Sequence, residues 1–260
     1  MSLSRRTFWA VLAILFSICS LEASSIELRN QLATCEKDCV LNVPLQSILK
    51  DVSLLALGCN QNIEIARDVA YAAGMVARSY GFEYVVFGTL GVLVENDPDP
   101  LCRISRSPFI TAQVLSYMIE GFISAGIVPI INATGNVNAD VVRSLLNRKM
   151  SSPALVENEQ KANQLRELGF NVVFVTLDGQ VFGRLPRLNV KPPTNLQEVE
   201  RIRRKALEGA IVLLNRSINR IAVNNPFERA GVLVFSDEEW ILNLAQQVLR
   251  GERPSTGRIP

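Results

Sequence analysis

Residues 80–135 constrain the fold more than any other stretch of this sequence. Two apolar runs rich in β-branched residues, 84–94 and 127–131, flank a segment with the 3.6-residue spacing of a helix. Two strands joined through a helix in this way pair in parallel, because a parallel pair needs a crossover connection. The stretch therefore predicts a strand, a long polar loop, a helix and a second strand of a parallel α/β fold.

The polar loop of this unit is the first candidate for a functional site. Its sequence, ENDPDPLCRISRSP, places Asp97, Asp99, Arg103 and Arg106 among three prolines. In parallel α/β folds, ligands bind to loops that leave the carboxyl ends of strands. Composition alone is equally compatible with an ordinary charged surface connection. Arg106 is equally compatible with ligand binding and with a salt bridge to Asp97 or Asp99.

The rest of the chain continues the alternation of helices and strands. Apolar residues recur at helical spacing over 65–77, and further helices are predicted over 110–125, 139–149 and 152–168. Residues 171–177 form a largely apolar run, which is typical of a strand covered on both faces. A segment rich in proline and arginine follows residue 178, and a last strand and helix come after it.

The length of the chain limits the architecture. A complete (β/α)₈ barrel takes about 250 residues by itself, and this chain has 260 in all. We therefore expect an incomplete TIM-barrel-like fold, or an open parallel sheet flanked by helices, with a small C-terminal α/β unit. Such a sheet has unpaired edges, and the last strand or a second copy of the chain is expected to cover them.

The complete absence of histidine excludes several kinds of chemistry. Serine or cysteine nucleophiles activated by histidine are excluded, as are the usual zinc sites. We expect no metal and no cofactor. A net charge of +2 gives no reason to expect a nucleic-acid partner, and the basic run at 201–205 reads as the solvated face of a helix.

The N-terminus predicts an export signal over residues 1–25. Arg5 and Arg6 precede an unbroken apolar run and a small-residue exit, although retention of the run as an anchor is the alternative. We expect the protein to be secreted, periplasmic or in the cell envelope, and off the membrane once the signal is removed. An even number of cysteines then remains, which permits two disulfides with the pairing left open: Cys35, Cys39, Cys59 and Cys102.

Several motifs in order along the chain resemble family 3 glycoside hydrolases of the β-N-acetylglucosaminidase and β-glucosidase type, in a divergent and truncated form. The matching pieces are LALGCNQNIEIARDVAYAAGMVARSYGF, NDPDP, ISRSPF, EGFISAGIVPIINATG and SPALVENEQKANQLRELGFNVVFVTLDG. The resemblance covers roughly residues 57–178. Shorter echoes of the family's second domain occur in RKALEGAIVLLNRS and VLRGERPSTGRIP.

This resemblance implies a domain division. It gives an N-terminal arm at 26–50, a family 3 N-terminal-like α/β domain at 51–180, a linker at 181–195 and a remnant of the family's C-terminal unit at 196–260.

The resemblance also implies where catalytic residues belong. The family's nucleophilic aspartate falls on Leu177, with Asp178 one residue later, and a strand turns its side chain to the other face at each step. The lysine and histidine run that supplies the proton donor is replaced by residues 131–136, which include Asn132. The aspartate of the preceding strand falls near Gly91, whereas Arg106 keeps the family's residue type.

Two interpretations follow from these positions. In the first, the protein is a degenerate homologue that binds carbohydrate of the N-acetylglucosamine or glucose type, with Arg106, Asp99, Arg103 and Asn132 in the old pocket. The loss of an acid catalyst, typically worth ~10²–10⁴-fold in rate, favours it. In the second, it is an active β-N-acetylhexosaminidase or β-glucosidase that uses Asp178 as nucleophile.

Overall fold

The computed structural model describes residues 40–177, 181–188, 196–215 and 230–259. Its strands are β1 (Val40–Leu41), β2 (Tyr84–Phe87), β3 (Val128–Asn132), β4 (Ala154–Val156), β5 (Phe174–Thr176), β6 (Val181–Phe182), β7 (Val212–Asn215) and β8 (Ala230–Leu233). Its helices are α1 (Leu45–Ile48), α2 (Leu54–Cys59), α3 (Ile65–Ser79), α4 (Pro108–Ser124), α5 (Ala139–Asn147), α6 (Glu159–Glu167), α7 (Leu196–Gly209) and α8 (Glu239–Leu249). A 3₁₀ turn covers Pro100–Cys102.

The main sheet has six strands in the order β1-β2-β3-β4-β5-β6. Neighbours from β1 to β5 pair in parallel, and β6 turns back antiparallel on β5. Each new strand is added on the same side, as in a barrel, but the sheet stays open and curls into half a barrel. The prediction of an incomplete barrel or open parallel sheet flanked by helices is confirmed.

The two faces of this sheet have different coverings. On the outer face, strand residues such as Val85, Ile131 and Phe174 share one large core with the helices. The inner face carries the alternate residues, which form a separate cluster: Tyr84, Val86, Val128, Ile130, Leu155 and Val175. Leu185 and Leu188, from the segment that follows β6, pack against this inner cluster. A short irregular segment therefore lies where a complete barrel would have further strands.

Helices α3 and α4 lie very close together because their contact residues are small. A β-carbon at Gly121 would lie 2.2 Å from the carbonyl oxygen of Arg67, so only glycine fits at that point of α4. On the facing helix, Ala66, Ala70 and Ala73 are fully buried. This tight pair fixes the helical layer behind β2 and β3.

The C-terminal unit packs on the same core. Strands β7 and β8 form an antiparallel pair, and Ile202, Ala206 and Ile241 from α7 and α8 belong to the main core. The side chain of Arg203, which is 8% exposed, donates to Glu200 and to Glu238, and its Nη1 donates to the carbonyl oxygen of Lys50. This network ties α7 to the turn before α8 and to the turn after α1.

Two sequence-based boundaries differ from the structure. The strand predicted over 84–94 ends at Phe87, because Gly88 has a positive φ of 60° and turns the chain into the loop. The helix predicted from 152 begins only after Asn158, whose side chain caps α6, and the apolar residues before it form β4. Pro153 and the buried run Ala154–Val156 favour a strand there.

Residues 40–50, assigned from sequence to an arm, contribute β1 and α1 to the sheet and core. The signal segment and the rest of the arm lie outside the described residues, and the domain boundaries stay predictions. Among the helices that the structure describes, none has the length and hydropathy needed to cross a membrane.

Candidate functional site

The loop after β2 is closed by a backbone hydrogen bond at its base. The amide of Leu93 donates to the carbonyl oxygen of Ser105 over 2.9 Å. Within the loop, the side chain of Asp97 accepts from the amide of Asp99, which makes a local turn. The charged residues of the loop are thereby held at the carboxyl ends of the parallel strands, where ligands bind in such folds.

An ion pair organises the loop. Nε of Arg103 donates to Oδ2 of Asp97 over 2.9 Å, and Nη1 donates to Oγ1 of Thr89 over 3.2 Å. The Asp97 side chain is only 2% exposed, whereas that of Arg103 is 24% exposed. The hydrogen bond from Arg103 outweighs the effect of burial and holds the pKa of Asp97 below its usual value. Asp97 is therefore a structural anion rather than a proton donor at neutral pH.

The guanidinium of Arg103 also lies beside Gly91. A β-carbon at position 91 would lie 3.3 Å from Nη1 of Arg103 and 2.8 Å from the carbonyl oxygen of Asn136. The amide of Gly91 donates to Thr89, which also accepts from Arg103. Arg103 and the chain at Asn136 thus occupy the space that a side chain at position 91 would need.

The loop after β3 forms the neighbouring wall. Oδ1 of Asn132 accepts from the amide and the hydroxyl of Thr134, over 2.9 and 2.7 Å. Backbone hydrogen bonds from Leu90 to Asn132 and from Asn138 to Leu90 join this loop to the end of β2. The two loops therefore behave as one connected wall.

Two residues that follow β4 hold this wall at Gly135. Oε1 of Glu157 accepts from the amide of Gly135, and Nζ of Lys161 donates to its carbonyl oxygen over 2.8 Å. Gly135 has a φ of 73°, a conformation that favours glycine. Oε2 of Glu157 is buried and has no hydrogen-bond partner among the described residues.

A cavity of about 390 Å³ lies at these strand ends. Its polar rim comes from the two loops and from the chain that follows β1, and includes Asn42, Thr89, Asp99, Arg103, Asn132 and Thr134. Its floor is apolar and reaches between β2 and the helices. Of the described residues that line the cavity, Arg103 is the single cation.

The structure brings some of the predicted site residues together and not others. Arg103, Asp99 and Asn132 line the cavity. Arg106 is exposed and lies outside the lining, and the ion pair to Asp97 is made by Arg103 instead. Asp178 lies outside the described residues.

Sequence reasoning missed Thr89, Glu157 and Lys161. Glu157 directly follows β4, and Thr89 follows β2 after one intervening residue. Polar side chains at such positions lie at the edge of the sheet formed by the carboxyl ends of the strands. The sequence predicts a helix from residue 152, so it gives no sign that Glu157 lies at the end of a strand. Lys161 joins the site only through tertiary contact with Gly135, and no local pattern indicates that.

The two described cysteines carry free thiols. Burial raises the pKa of Cys59 to about 12, and burial together with the Asp99 carboxylate raises that of Cys102 to about 11. Neither thiol is a ready nucleophile at neutral pH. Cys35 and Cys39 lie outside the described residues, so the disulfide pairing stays a prediction.

Two carboxylates near the cavity have structural partners. Asp97 is committed to Arg103, and Glu157 holds the backbone of Gly135. Across the described ranges, no group of three or more acidic or cysteine side chains is placed to hold a metal ion. The described part of the site offers hydrogen bonds and apolar surface.

Comparison with known proteins adds little to this geometry. No protein-family model matches the chain, and no curated protein matches it. Among solved structures, M tuberculosis LpqI matches with a TM-score of 0.36 and 15% sequence identity. The match covers 45% of this chain and 44% of that one, so the chain spans less than half the length of its structural neighbour. A likeness this weak carries no argument about function. The fold and the cavity define the protein as a half-barrel α/β protein with a ligand-sized cavity at the carboxyl edge of its sheet.

Proposed function

We propose that this chain is an exported, divergent protein of the family 3 glycoside hydrolase type that binds carbohydrate at the carboxyl edge of its sheet without hydrolysing it. The sugar is of the N-acetylglucosamine or glucose type. The resemblance in sequence motifs supports the ancestry, and the absence of histidine removes the family's proton donor.

The absence of histidine supports the loss of turnover, and the position of Arg103 indicates that the site binds a ligand differently from the family. The resemblance expects a sugar-binding aspartate near position 91, and this chain has a glycine there. The guanidinium of Arg103, bonded to Asp97 and Thr89, takes up the space beside it. Arg103 uses some of its N–H donors inside the protein and can still bind a sugar hydroxyl through its exposed edge. It cannot supply a catalytic proton, because arginine stays charged.

One observation favours the alternative of an active hydrolase. Val156 and Thr176 are register partners on neighbouring parallel strands, and the amide of Leu177 donates to Val156. Glu157, whose buried Oε2 has no hydrogen-bond partner among the described residues, therefore lies next to the strand end that Asp178 follows in sequence. Retaining glycosidases need two carboxyl groups only about 5 Å apart, and in this alternative Glu157 is the acid and Asp178 the nucleophile.

A chromogenic assay separates the two functions. The purified protein is incubated with 4-nitrophenyl β-N-acetylglucosaminide and β-glucoside, beside Asp178→Asn and Glu157→Gln. We expect no release of nitrophenol above the rate of the buffer from any of the proteins, together with thermal stabilisation by the sugars. Release that both substitutions abolish would replace the proposal with the hydrolase.

A further inference from the structure

The floor of the cavity includes core residues that are not fully buried. Five core side chains that line it, Val43, Leu45, Ile48, Leu54 and Phe87, are 6–8% exposed, whereas Met118 and Phe122 behind them are 0% exposed. The first group therefore presents apolar surface to the cavity that water can reach. Wetted apolar surface is unfavourable, and an apolar ligand group that covers it gains free energy in proportion to the area.

The shape of the sheet explains why this opening exists. Strand β1 has only two residues, and it pairs with the first half of β2, through Tyr84 and Val85. The chain then leaves the sheet at Asn42 and enters α1 at Leu45. Among the described strands, none pairs with Val86 and Phe87, the second half of β2, on the side of β1, and the cavity there reaches the helical layer.

The rim sets the charge of an acceptable ligand. Arg103 is already paired with Asp97, and Asp99 adds a negative charge at the rim. The rim therefore gives no net attraction to an anion. Threonine and asparagine side chains supply neutral hydrogen-bonding groups there, in particular Thr134 and Asn132. A neutral ligand with hydroxyl or amide groups matches this rim.

We infer that the cavity takes a neutral amphipathic glycoside, with an alkyl or aryl group on the apolar floor and its sugar at the rim. This inference rests on the proposed sugar-binding function and names the class of sugar derivative that the site prefers. The volume of about 390 Å³ lies within the usual range of small-molecule pockets, which is about 300–1,000 Å³.

Calorimetric titration with matched probes tests the inference. Methyl β-N-acetylglucosaminide carries the sugar alone, phenyl β-N-acetylglucosaminide adds an apolar ring, and phenol is the ring alone. Covering the floor with a phenyl ring is expected to tighten binding about tenfold or more over the methyl glycoside. Phenol alone is expected to bind far more weakly than the phenyl glycoside.

A pair of substitutions locates the effect. Val43→Phe places a ring in the floor and is expected to remove the preference for the phenyl glycoside. Val181→Phe makes the same chemical change on β6, at a side chain 42% exposed and outside the lining, and is expected to keep the preference.

Alkylation of Cys102 at about pH 10, where part of this high-pKa thiol is ionised, gives a second readout that needs no variant. Cys102 lines the cavity and is half-buried, whereas Cys59 is fully buried. The phenyl glycoside is expected to slow alkylation of the Cys102 peptide, followed by mass spectrometry, at least threefold more than the methyl glycoside does at equal concentration.

The possible failures are distinguishable. Equal affinity for the methyl and phenyl glycosides, with equal protection of Cys102, overturns the inference and leaves sugar binding intact. Phenol that binds as tightly as its glycoside overturns the glycoside as occupant and the proposed sugar-binding function with it. Absence of binding by all three probes overturns both.

Discussion

Arg203 and Arg103 both form ion pairs with carboxylates, but the two ion pairs have different surroundings and different roles. Arg203 is 8% exposed and bonds Glu200, Glu238 and the backbone of Lys50. Arg103 is 24% exposed, bonds Asp97 and Thr89, and lies on the rim of the cavity. The first arginine joins three segments of the chain, and the second shapes a surface that a ligand can reach.

An ion pair that lies beside a cavity can affect ligand binding as well as stability. A sealed network contributes by connecting elements, and removal of a partner leaves a buried charge. An ion pair at the carboxyl edge of a parallel sheet also connects elements of the fold. In addition, it determines which ligands the neighbouring cavity can bind. Substitutions at the two sites should therefore separate stability from ligand binding.

The largest expected effect is on stability, from Arg203→Met. Glu238 would lose its arginine while its side chain stays 20% exposed, so we expect a loss of roughly 2–4 kcal/mol in the free energy of unfolding, measured in urea. Ligand affinity of the folded fraction should not change. A variant that lost affinity while keeping its stability would reverse the roles of the two arginines.

Arg103→Met should affect both properties. Asp97 would be left buried without its partner, which we expect to cost roughly 1–3 kcal/mol in unfolding free energy, and calorimetry should show at least a tenfold loss of sugar affinity. Arg106→Met is the matched control, because Arg106 is exposed and outside the cavity lining. Its stability should stay within about 0.5 kcal/mol of the wild type.

The pH dependence of stability should follow Glu238. Burial raises its pKa, but hydrogen bonds from Trp240, Arg203 and Lys50 outweigh burial and lower the pKa to about 2, from an ordinary value of 4.5. Because the folded pKa is the lower one, this contribution is fully present above about pH 4.5 and is lost as the pH falls toward 2. Urea denaturation across this window should show a shallower decline for Glu238→Gln, and an unchanged slope would contradict the assignment.

The smallest effects on stability and affinity are expected from Lys161, which contacts the cavity wall at Gly135. Lys161→Met removes the hydrogen bond to the carbonyl oxygen of Gly135, at an exposed site. We expect a stability change below about 1 kcal/mol and a twofold to fivefold loss of sugar affinity. Lys161→Arg, which can donate to the same oxygen, should recover most of that affinity. An equal loss in both variants would show that Lys161 does not position the loop.

Much of the fold follows from the periodicity of apolar residues. The β2–α4–β3 unit, the helices near 65–79 and 139–147, and the open parallel sheet were predictable, because each depends on local patterns and on chain length. Strand β4 was not, since three apolar residues before a helix cap resemble the start of that helix. Strand β1 was missed because two residues carry no periodic signal.

The site was predictable only to the level of the loop. Composition pointed to residues 97–106, but the choice of Arg103 over Arg106 as the partner of Asp97 depends on the backbone path set by the turn at Asp99 and the closure at Ser105. The contact of Lys161 with Gly135 joins two separate β/α units. Such contacts depend on tertiary packing, which no single segment of sequence encodes.

A single NMR experiment tests the central claim, that the carboxyl edge binds a sugar derivative without cleaving it. Phenyl β-N-acetylglucosaminide is mixed with the protein, and saturation transfer to the ligand and release of phenol are followed in one sample for a day. We expect saturation transfer that Arg103→Met abolishes and Arg106→Met keeps, with no phenol above the protein-free rate. Phenol release that disappears in Asp178→Asn, or no saturation transfer at all, would contradict it.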